Sequence, residues 1–420
     1  MSKYMIKGGD PLEGEITVQG AKNSVLPILA ATIMTEGKSI VHNCPNIKDV
    51  ALTVEILKCL GCVVERQGNT ITVDAANIGN FYIPQSLMNK MRSSVIFMGA
   101  ILARMRIAKC SYPGGCELGA RPINLHLKSF RGLGVEIQED HGYITCEITQ
   151  YKAGRINLDF PSVGATENIM LLACMQKGTT TIINAAREPE IVDLQDFLNA
   201  MGAKISGAGS SVIEIEGVAS LSPVERSVIP DRIMAATMMF MVASTKGELT
   251  LNNVNISHID SIVSVLDECG AHIRAEGNRL HIQCRERLKA IDFVQTMPYP
   301  GFPTDAQSQM VAALCTMRGT AIVKETIFEN RFNTATELKK MGADITINDR
   351  VAVIRGVERL HGAAVKAPDL RGGAALVIAA LGAEGESEID NVYYIHRGYE
   401  NFDGIVQSVG GHIIRVGEDD

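Results

Sequence analysis

The sequence predicts an α/β fold of two domains, each built from three copies of one unit of about seventy residues. Three observations predict it. A short signature recurs six times at near-even intervals, and apolar helical stretches alternate with β-branched runs in the same order each time. The chain also has 420 residues, 46% of them hydrophobic, which is more than one ordinary domain holds.

The signature is the end of an apolar helix, a glycine, then a short strand: CLGCVVE, GLGVEIQ, AMGAKIS, ECGAHIR, KMGADIT and SVGGHII. Its glycines are Gly61, Gly134, Gly202, Gly270, Gly342 and Gly410, at intervals of 73, 68, 68, 72 and 68. A glycine closing a helix fits a left-handed cap, which a Cβ would penalise. Upstream, each unit opens with a polar turn and an apolar helix: AKNSVLPILAATIM, MRSSVIFMGAILAR, SVGATENIMLLACM, PDRIMAATMMFMVA, PTDAQSQMVAALCT and DLRGGAALVIAALG. Small residues crowd these helices, as expected where one packs tightly among others. A β-branched run such as TTTIINA or TAIVKET follows and reads as a strand. A connector, a second amphipathic helix ending at the glycine, and a hairpin such as AHIRAEGNRLHIQC complete the unit, with a further strand expected before the first helix. Three units form the first domain, 22–229, and three the second, 1–21 plus 230–420, with the break near Ser227–Pro230. A leading strand around Lys3–Lys7 is expected to complete a sheet of the second domain.

Composition excludes several classes of function. Net charge is −7 and no basic run stands out, so a nucleic-acid groove is not expected. The N-terminal residues lack the apolar core of a signal peptide. The longest apolar runs, Met234–Ala243 and Ala374–Ala383, are roughly half of a membrane span, so a cytoplasmic protein with no membrane span is expected. Most of the ten cysteines lie in apolar stretches and read as buried thiols. Cys59 and Cys62 form a C-x-x-C, but they align with Gly132 and Val135, Ala200 and Ala203, and Lys340 and Ala343 in other units. They are ordinary slots at a helix end.

The polar residues at the helix starts are less ordinary. Lys22 and Asn23, Arg92, Thr304 and Asp305, and Asp369 with Arg371 stand where a bland cap would suffice. Cations at a helix N-terminus oppose the macrodipole, and an anion held between them and the helix end reconciles the two. Asp231 reads only as a cap. Strand-to-helix connectors carry Arg121, Arg187, Arg331 and Arg397. Any one of these is as readily a solvated surface arginine as a ligand. Four in equivalent connectors suggest a shared anionic ligand, suited to the bidentate guanidinium.

The second connector, SYPGGCELGARP, sets Cys116 at the tip of a Pro113-Gly114-Gly115 turn. A packing cysteine is the ordinary reading, but flexible polar flanks favour a reactive thiol. Its ordinary pKa of about 8.5 would fall beside cations, which suits a group that gives and recovers a proton. No phosphate-loop lysine motif and no convincing dinucleotide fingerprint occurs, and no His, Cys and carboxylate set has metal-ligand spacing, so no metal is expected.

These residues resemble one family along the whole chain. GAKNSVLP, PGGCELGARPINLH, PSVGAT, NAAREPEIVD, FPTDAQ, ETIFENRF, DLRGG and HRGYE are similar to the UDP-N-acetylglucosamine enolpyruvyl transferases of the EPSP synthase family. The resemblance implies an inside-out α/β barrel in two similar domains of three βαβαββ-type repeats, with the active site in the interdomain cleft. It implies transfer of the enolpyruvyl group of phosphoenolpyruvate to the 3′-hydroxyl of UDP-N-acetylglucosamine, the first committed step of peptidoglycan synthesis, without cofactor. By position, Cys116 resembles the thiol that protonates C3 of phosphoenolpyruvate, and the target of the epoxide fosfomycin. Asp305 resembles the base near the attacking hydroxyl. Lys22, Asn23, Arg121 and Arg397 resemble the phosphoenolpyruvate cradle, with Arg331 and Arg371 nearby. Asn23, Arg92, Arg121, Pro122, Ile123, Asn124, Leu125, Ser162, Val163, Gly164, Asp305 and Ile327 resemble contacts to the sugar nucleotide. Before Ser162 the chain reads LDFPSVG, where some members carry a lysine, so pyrophosphate contacts at Phe160-Pro161 differ.

Two rivals share much of this pattern. The shikimate-pathway enolpyruvyl transferase has the same architecture but lacks the P-G-G-C loop. A non-catalytic regulatory paralogue is opposed by the joint presence of Lys22, Cys116, Asp305 and Arg397. The sequence leaves the oligomeric state open and is compatible with a monomer.

Overall fold

The structure, a computed structural model, describes residues 2–112 and 123–417. Among the described residues, six four-stranded sheets recur, one per repeat. The third repeat shows the plan. A leading strand, Arg155–Asn157, runs into the helix Val163–Ala173, and the strand Thr179–Ile183 returns parallel to the leader. The helix Pro189–Ala200 then precedes an antiparallel hairpin of Lys204–Ser206 and Val212–Glu216.

Two repeats obtain their leading strand from elsewhere in the chain. Glu13–Thr17, which precedes the first opening helix, pairs in parallel with Glu248–Asn252 of the fourth repeat. Glu225–Ser227, which precedes the fourth opening helix, pairs in parallel with Lys38–His42 of the first. Parallel partners need a long connection in any case, so the leader need not be the segment just upstream. The strand Lys3–Lys7 lies between Glu386–Asp390 and His412–Val416, antiparallel to both, and completes the sheet of the sixth repeat.

The chain divides into two compact units, one of residues 2–19 with 230–417 and the other of 20–112 with 123–229. Each has its own hydrophobic core. In the first unit the helices Arg232–Thr245, Gln307–Leu314 and Leu370–Gly382 pack on one another. They are buried along almost their whole length, which suits helices apolar on every side. In the second unit the buried helix Phe97–Met105 packs on both Val163–Ala173 and Lys22–Ala31. The sheets lie outside them, with strands that alternate buried and exposed residues, as in the burial of Leu249 and Leu251 within Glu248–Asn252.

All six signature glycines have positive φ, from 81° at Gly134 to 106° at Gly202. Gly61 shows the reason: its N–H donates to the Lys58 carbonyl at 3.0 Å, and the chain turns out of the helix into a strand. Cys59 is half-buried at that helix end, and burial pushes the Cys62 thiol up to about 11. Among the described residues there is no helix long and apolar enough to cross a membrane.

The glycines differ in what surrounds them. At Gly270 an added Cβ would meet nothing within 4 Å, whereas at Gly134 it would lie 2.3 Å from the Gln150 carbonyl oxygen. Gly270→Ala should therefore lower stability by about 1–2 kcal/mol, the left-handed penalty alone. Gly134→Ala should cost clearly more, because backbone must move. Urea midpoints that fall equally for the two variants would contradict this account.

Candidate active site

In the second unit, Lys22 begins the helix Lys22–Ala31 behind Ala21, which offers no side-chain cap. Its ammonium meets Asp49 at 2.9 Å, with side-chain exposures of 12% and 3%. Asp49 lies in the first turn of the helix Lys48–Leu60, where a carboxylate complements the helix dipole. The anion that the unusual cation called for is, in this structure, a carboxylate of the protein itself. Asn23 is half-buried beside it.

Arg92 opens the short helix Arg92–Ile96, which packs against both Lys22–Ala31 and Val163–Ala173. Ser162 caps the latter helix, its hydroxyl accepting from the Ala165 N–H at 3.3 Å. Val163 and Gly164 form the first turn. Ile123 is buried, and Asn124 and Leu125 start the helix Asn124–Gly132, which packs on Val163–Ala173. Cys116, Arg121 and Pro122 lie outside the described residues.

His126 joins two of these starts. An added Cβ at Gly164 would come within 3.1 Å of its ring, so the helix start lies close against the imidazole and a larger residue would press on it. Its Nδ1 is 2.7 Å from the Asn168 amide, whose nitrogen also donates to Val95 and whose oxygen accepts from Gly99. The amide nitrogen is thus the donor and Nδ1 the acceptor, which places the ring proton on Nε2. Burial pushes the imidazole down to about 4, and the charge of Arg92 adds to the effect.

In the first unit, Asp305 stands in the turn Thr304–Ala306, just before the helix Gln307–Leu314. Each of its oxygens accepts from a different buried arginine: Oδ1 from Arg331 at 2.9 Å and Oδ2 from Arg371 at 3.0 Å. The guanidinium side chains are 1% and 4% exposed, the carboxylate 27%. Arg331 also donates twice to the Thr304 carbonyl, at 3.1 and 2.9 Å. Burial opposes the charge of Arg371, but Asp305, with smaller help from Tyr399 and Asp231, outweighs it and raises the pKa above the ordinary arginine value. Arg371 also donates to the Tyr399 hydroxyl at 3.3 Å. Asp369 caps the helix Leu370–Gly382 through the Arg371 and Gly372 N–H groups, and Asp231 caps Arg232–Thr245 in the same way.

Arg397 ends the short helix Val392–Arg397, which packs on Leu370–Gly382, and is half-buried. Ile327 is half-buried in the connector after the strand Thr320–Lys324. The structure thus joins Asp305, Arg331 and Arg371 in one buried cluster and gives Lys22 a carboxylate partner. It also adds residues that sequence reasoning did not single out: Asp49, His126, Tyr399 and Glu325. Asp49 lies in a helix first turn and Glu325 just past a strand end, positions at which an acid draws no attention in a sequence.

The fold is shared with enolpyruvyl transferases of known structure. The enolpyruvyl transferase NikO from Streptomyces tendae superposes with a TM-score of 0.90 at 23% identity, covering 100% of this chain and 99% of that one. An EPSP synthase from Acinetobacter baumannii superposes with a TM-score of 0.76 at 19% identity, over 99% and 100% of the two chains. The family model for EPSP synthase (3-phosphoshikimate 1-carboxyvinyltransferase) matches residues 6–405. Among curated relatives, UDP-N-acetylglucosamine 1-carboxyvinyltransferase 2 of Caldanaerobacter subterraneus subsp. tengcongensis is 52% identical, covering 99% of this chain and 100% of its own. The enzyme of the same name numbered 1 from Symbiobacterium thermophilum is 49% identical over 99% and 95%. The protein belongs to the EPSP synthase family, in the branch of the UDP-N-acetylglucosamine 1-carboxyvinyltransferases.

His126 has a measurable consequence. Between pH 6.5 and about 4 the unfolded chain binds a proton at this ring that the folded chain does not, so stability is full above pH 6.5 and falls as pH drops. From pH 7 to 4 the wild type should lose roughly 3 kcal/mol more than His126→Gln. Denaturant titrations at stepped pH test this, and parallel losses in the two proteins would mean that the folded ring protonates freely.

Proposed function

We propose that the protein transfers the enolpyruvyl group of phosphoenolpyruvate to the 3′-hydroxyl of UDP-N-acetylglucosamine, releasing phosphate. The acceptor and the carboxyvinyl group transferred follow from the names of relatives matched over at least 95% of their length, and phosphoenolpyruvate as donor from the family resemblance. The observation in the chain itself that best supports the chemistry is the Asp305 carboxylate, partly exposed and held by two buried arginines at a helix start. Each oxygen accepts an arginine N–H, and a carboxylate oxygen has lone pairs for more than one donor, as recognition of a sugar hydroxyl would require. A carboxylate so held has a fixed direction, which is what a general base requires.

In this reading Cys116 gives a proton to C3 of phosphoenolpyruvate, making C2 electrophilic. The 3′-hydroxyl adds to C2 while Asp305 takes its proton, and a tetrahedral ketal forms. Loss of a C3 proton restores the double bond as the C2–O bond to phosphate breaks. Lys22, Arg121 and Arg397 hold phosphate and carboxylate through these steps, with Arg331 and Arg371 behind Asp305. Asn23, Arg92, Ile123–Leu125, Ser162–Gly164 and Ile327 contact the sugar nucleotide. Both substrates are anions, and preorganised cations stabilise the charge that moves between their oxygens. The same reading assigns the protein to the cytoplasm and to the first committed step of peptidoglycan synthesis.

Phosphate release should require both phosphoenolpyruvate and UDP-N-acetylglucosamine; release equally fast with shikimate 3-phosphate as acceptor would sink the assignment. Asp305→Ala should lower turnover on the order of a hundredfold or more with the fold intact. Near-normal turnover would place the base elsewhere. Cys116→Asp should keep some turnover and resist alkylation by fosfomycin, which in the wild type should add to Cys116. A mass shift on another cysteine would remove the case for that thiol.

A further inference from the structure

Glu325 is a carboxylate that this mechanism does not use, and it is 1% exposed. Four donors converge on it. Oε1 accepts from the Thr296 hydroxyl at 2.8 Å, the Ile327 N–H at 2.7 Å and the Phe328 N–H at 3.1 Å. Oε2 accepts from the Thr304 hydroxyl at 3.0 Å. A buried carboxylate is unfavourable by several kcal/mol unless such bonds replace its water. An apolar residue would fill the same space without that penalty, so the arrangement calls for a use.

The donors belong to two segments with different tasks. Thr304 starts the turn that carries Asp305, and Ile327 and Phe328 form the connector that the proposed function sets against the sugar nucleotide. Thr296 strengthens the join, since its hydroxyl also accepts from the Thr326 N–H at 2.9 Å. Arg331 closes a circuit around the carboxylate. Its guanidinium lies over the Phe328 ring, 5.5 Å from the centroid, while it donates to the Thr304 carbonyl and to Asp305. Asp305 is thereby fixed from both sides, through Thr304 to Glu325 and through Arg331 and Phe328 to the same connector.

We propose that Glu325 is a positioning residue that locks the Asp305 turn to the Ile327 connector, and so couples the orientation of the base to the binding of the sugar nucleotide. The inference rests on the function proposed above. It gives Glu325 no proton to carry: its place is to accept, and an amide oxygen can accept as well. In Glu325→Gln, Oε1 keeps its three donors and the amide nitrogen faces the Thr304 hydroxyl, which can turn to accept.

Steady-state kinetics of the full-length protein test this. Wild-type phosphate release dependent on both substrates comes first; its absence takes down the proposed function and this inference together. With an active wild type, Glu325→Ala should lower kcat about a hundredfold and raise the KM for UDP-N-acetylglucosamine, with the KM for phosphoenolpyruvate within about twofold. Glu325→Gln should recover kcat to within about fivefold of wild type. Should Glu325→Ala fail to fold, Thr304→Val removes the link to the Asp305 turn alone. It should lower kcat and leave both KM values unchanged, where a purely structural role would shift only the melting temperature. The inference is overturned if Glu325→Gln is as impaired as Glu325→Ala, which would make Glu325 a proton carrier. An unchanged kcat in Glu325→Ala or in Thr304→Val overturns it equally.

Discussion

In the first unit, helices buried on every side carry charge only at their ends, and much of the structure follows from that constraint. In the second, the buried Glu167 inside Val163–Ala173 is the exception, its carboxyl pushed well above the usual range by burial. In the first unit, Arg232–Thr245, Gln307–Leu314 and Leu370–Gly382 pack together with scarcely an exposed residue between their termini. A charged side chain in their middle would be unfavourable by several kcal/mol without a partner. Asp231, Asp305, Asp369 and Arg371 all fall at or next to first turns. The same holds for Lys22, Arg92 and Ser162 in the second unit. Repetition of one packing solution therefore places polar groups at equivalent ends, and differences among the six starts distinguish chemistry from capping. Asp231 and Asp369 are caps; Asp305 instead faces two arginines.

Much of this was legible in the sequence because it is written locally. A glycine at each second helix end and a β-branched run after each first helix are constraints that a single segment must satisfy. Lys22 and Arg371 were also conspicuous, since each sits at the wrong end of a helix dipole. What escaped notice depends on distant pairing. Glu13–Thr17 and Glu225–Ser227 lead the sheets of repeats other than the ones they precede, and a parallel strand carries no mark of its partner. Asp49 is an acid in a first turn, as favourable there for the dipole as for Lys22. Glu325 follows an alternating strand and continues its pattern, so only the convergence of Thr296, Thr304, Ile327 and Phe328 sets it apart.

An acidic chain with a net charge of −7 must hold its cations ready for anionic substrates without letting them collapse onto its own carboxylates. Lys22 and Arg371 meet this by being paired with fixed carboxylates. Lys22 directs its ammonium at Asp49. Arg371 gives one nitrogen to Asp305 and another to Tyr399, out of five N–H groups. The carboxylates also stop the cations from swinging toward bulk water, so less ordering is left to be done at binding.

That arrangement has a cost which decides where specificity can lie. A cation shared with a fixed carboxylate attracts an incoming anion less than a bare one does, so affinity for phosphate alone should be modest. Discrimination must then come from neutral groups whose geometry is fixed by the fold. His126 against Gly164, the Ser162 cap and the connector held by Glu325 are such groups. Each is set by a hydrogen bond or by a close packing contact. If the proposed reaction holds, charge attracts either substrate, and rigid neutral contacts of this kind within each unit are what would separate a sugar nucleotide from another phosphate ester.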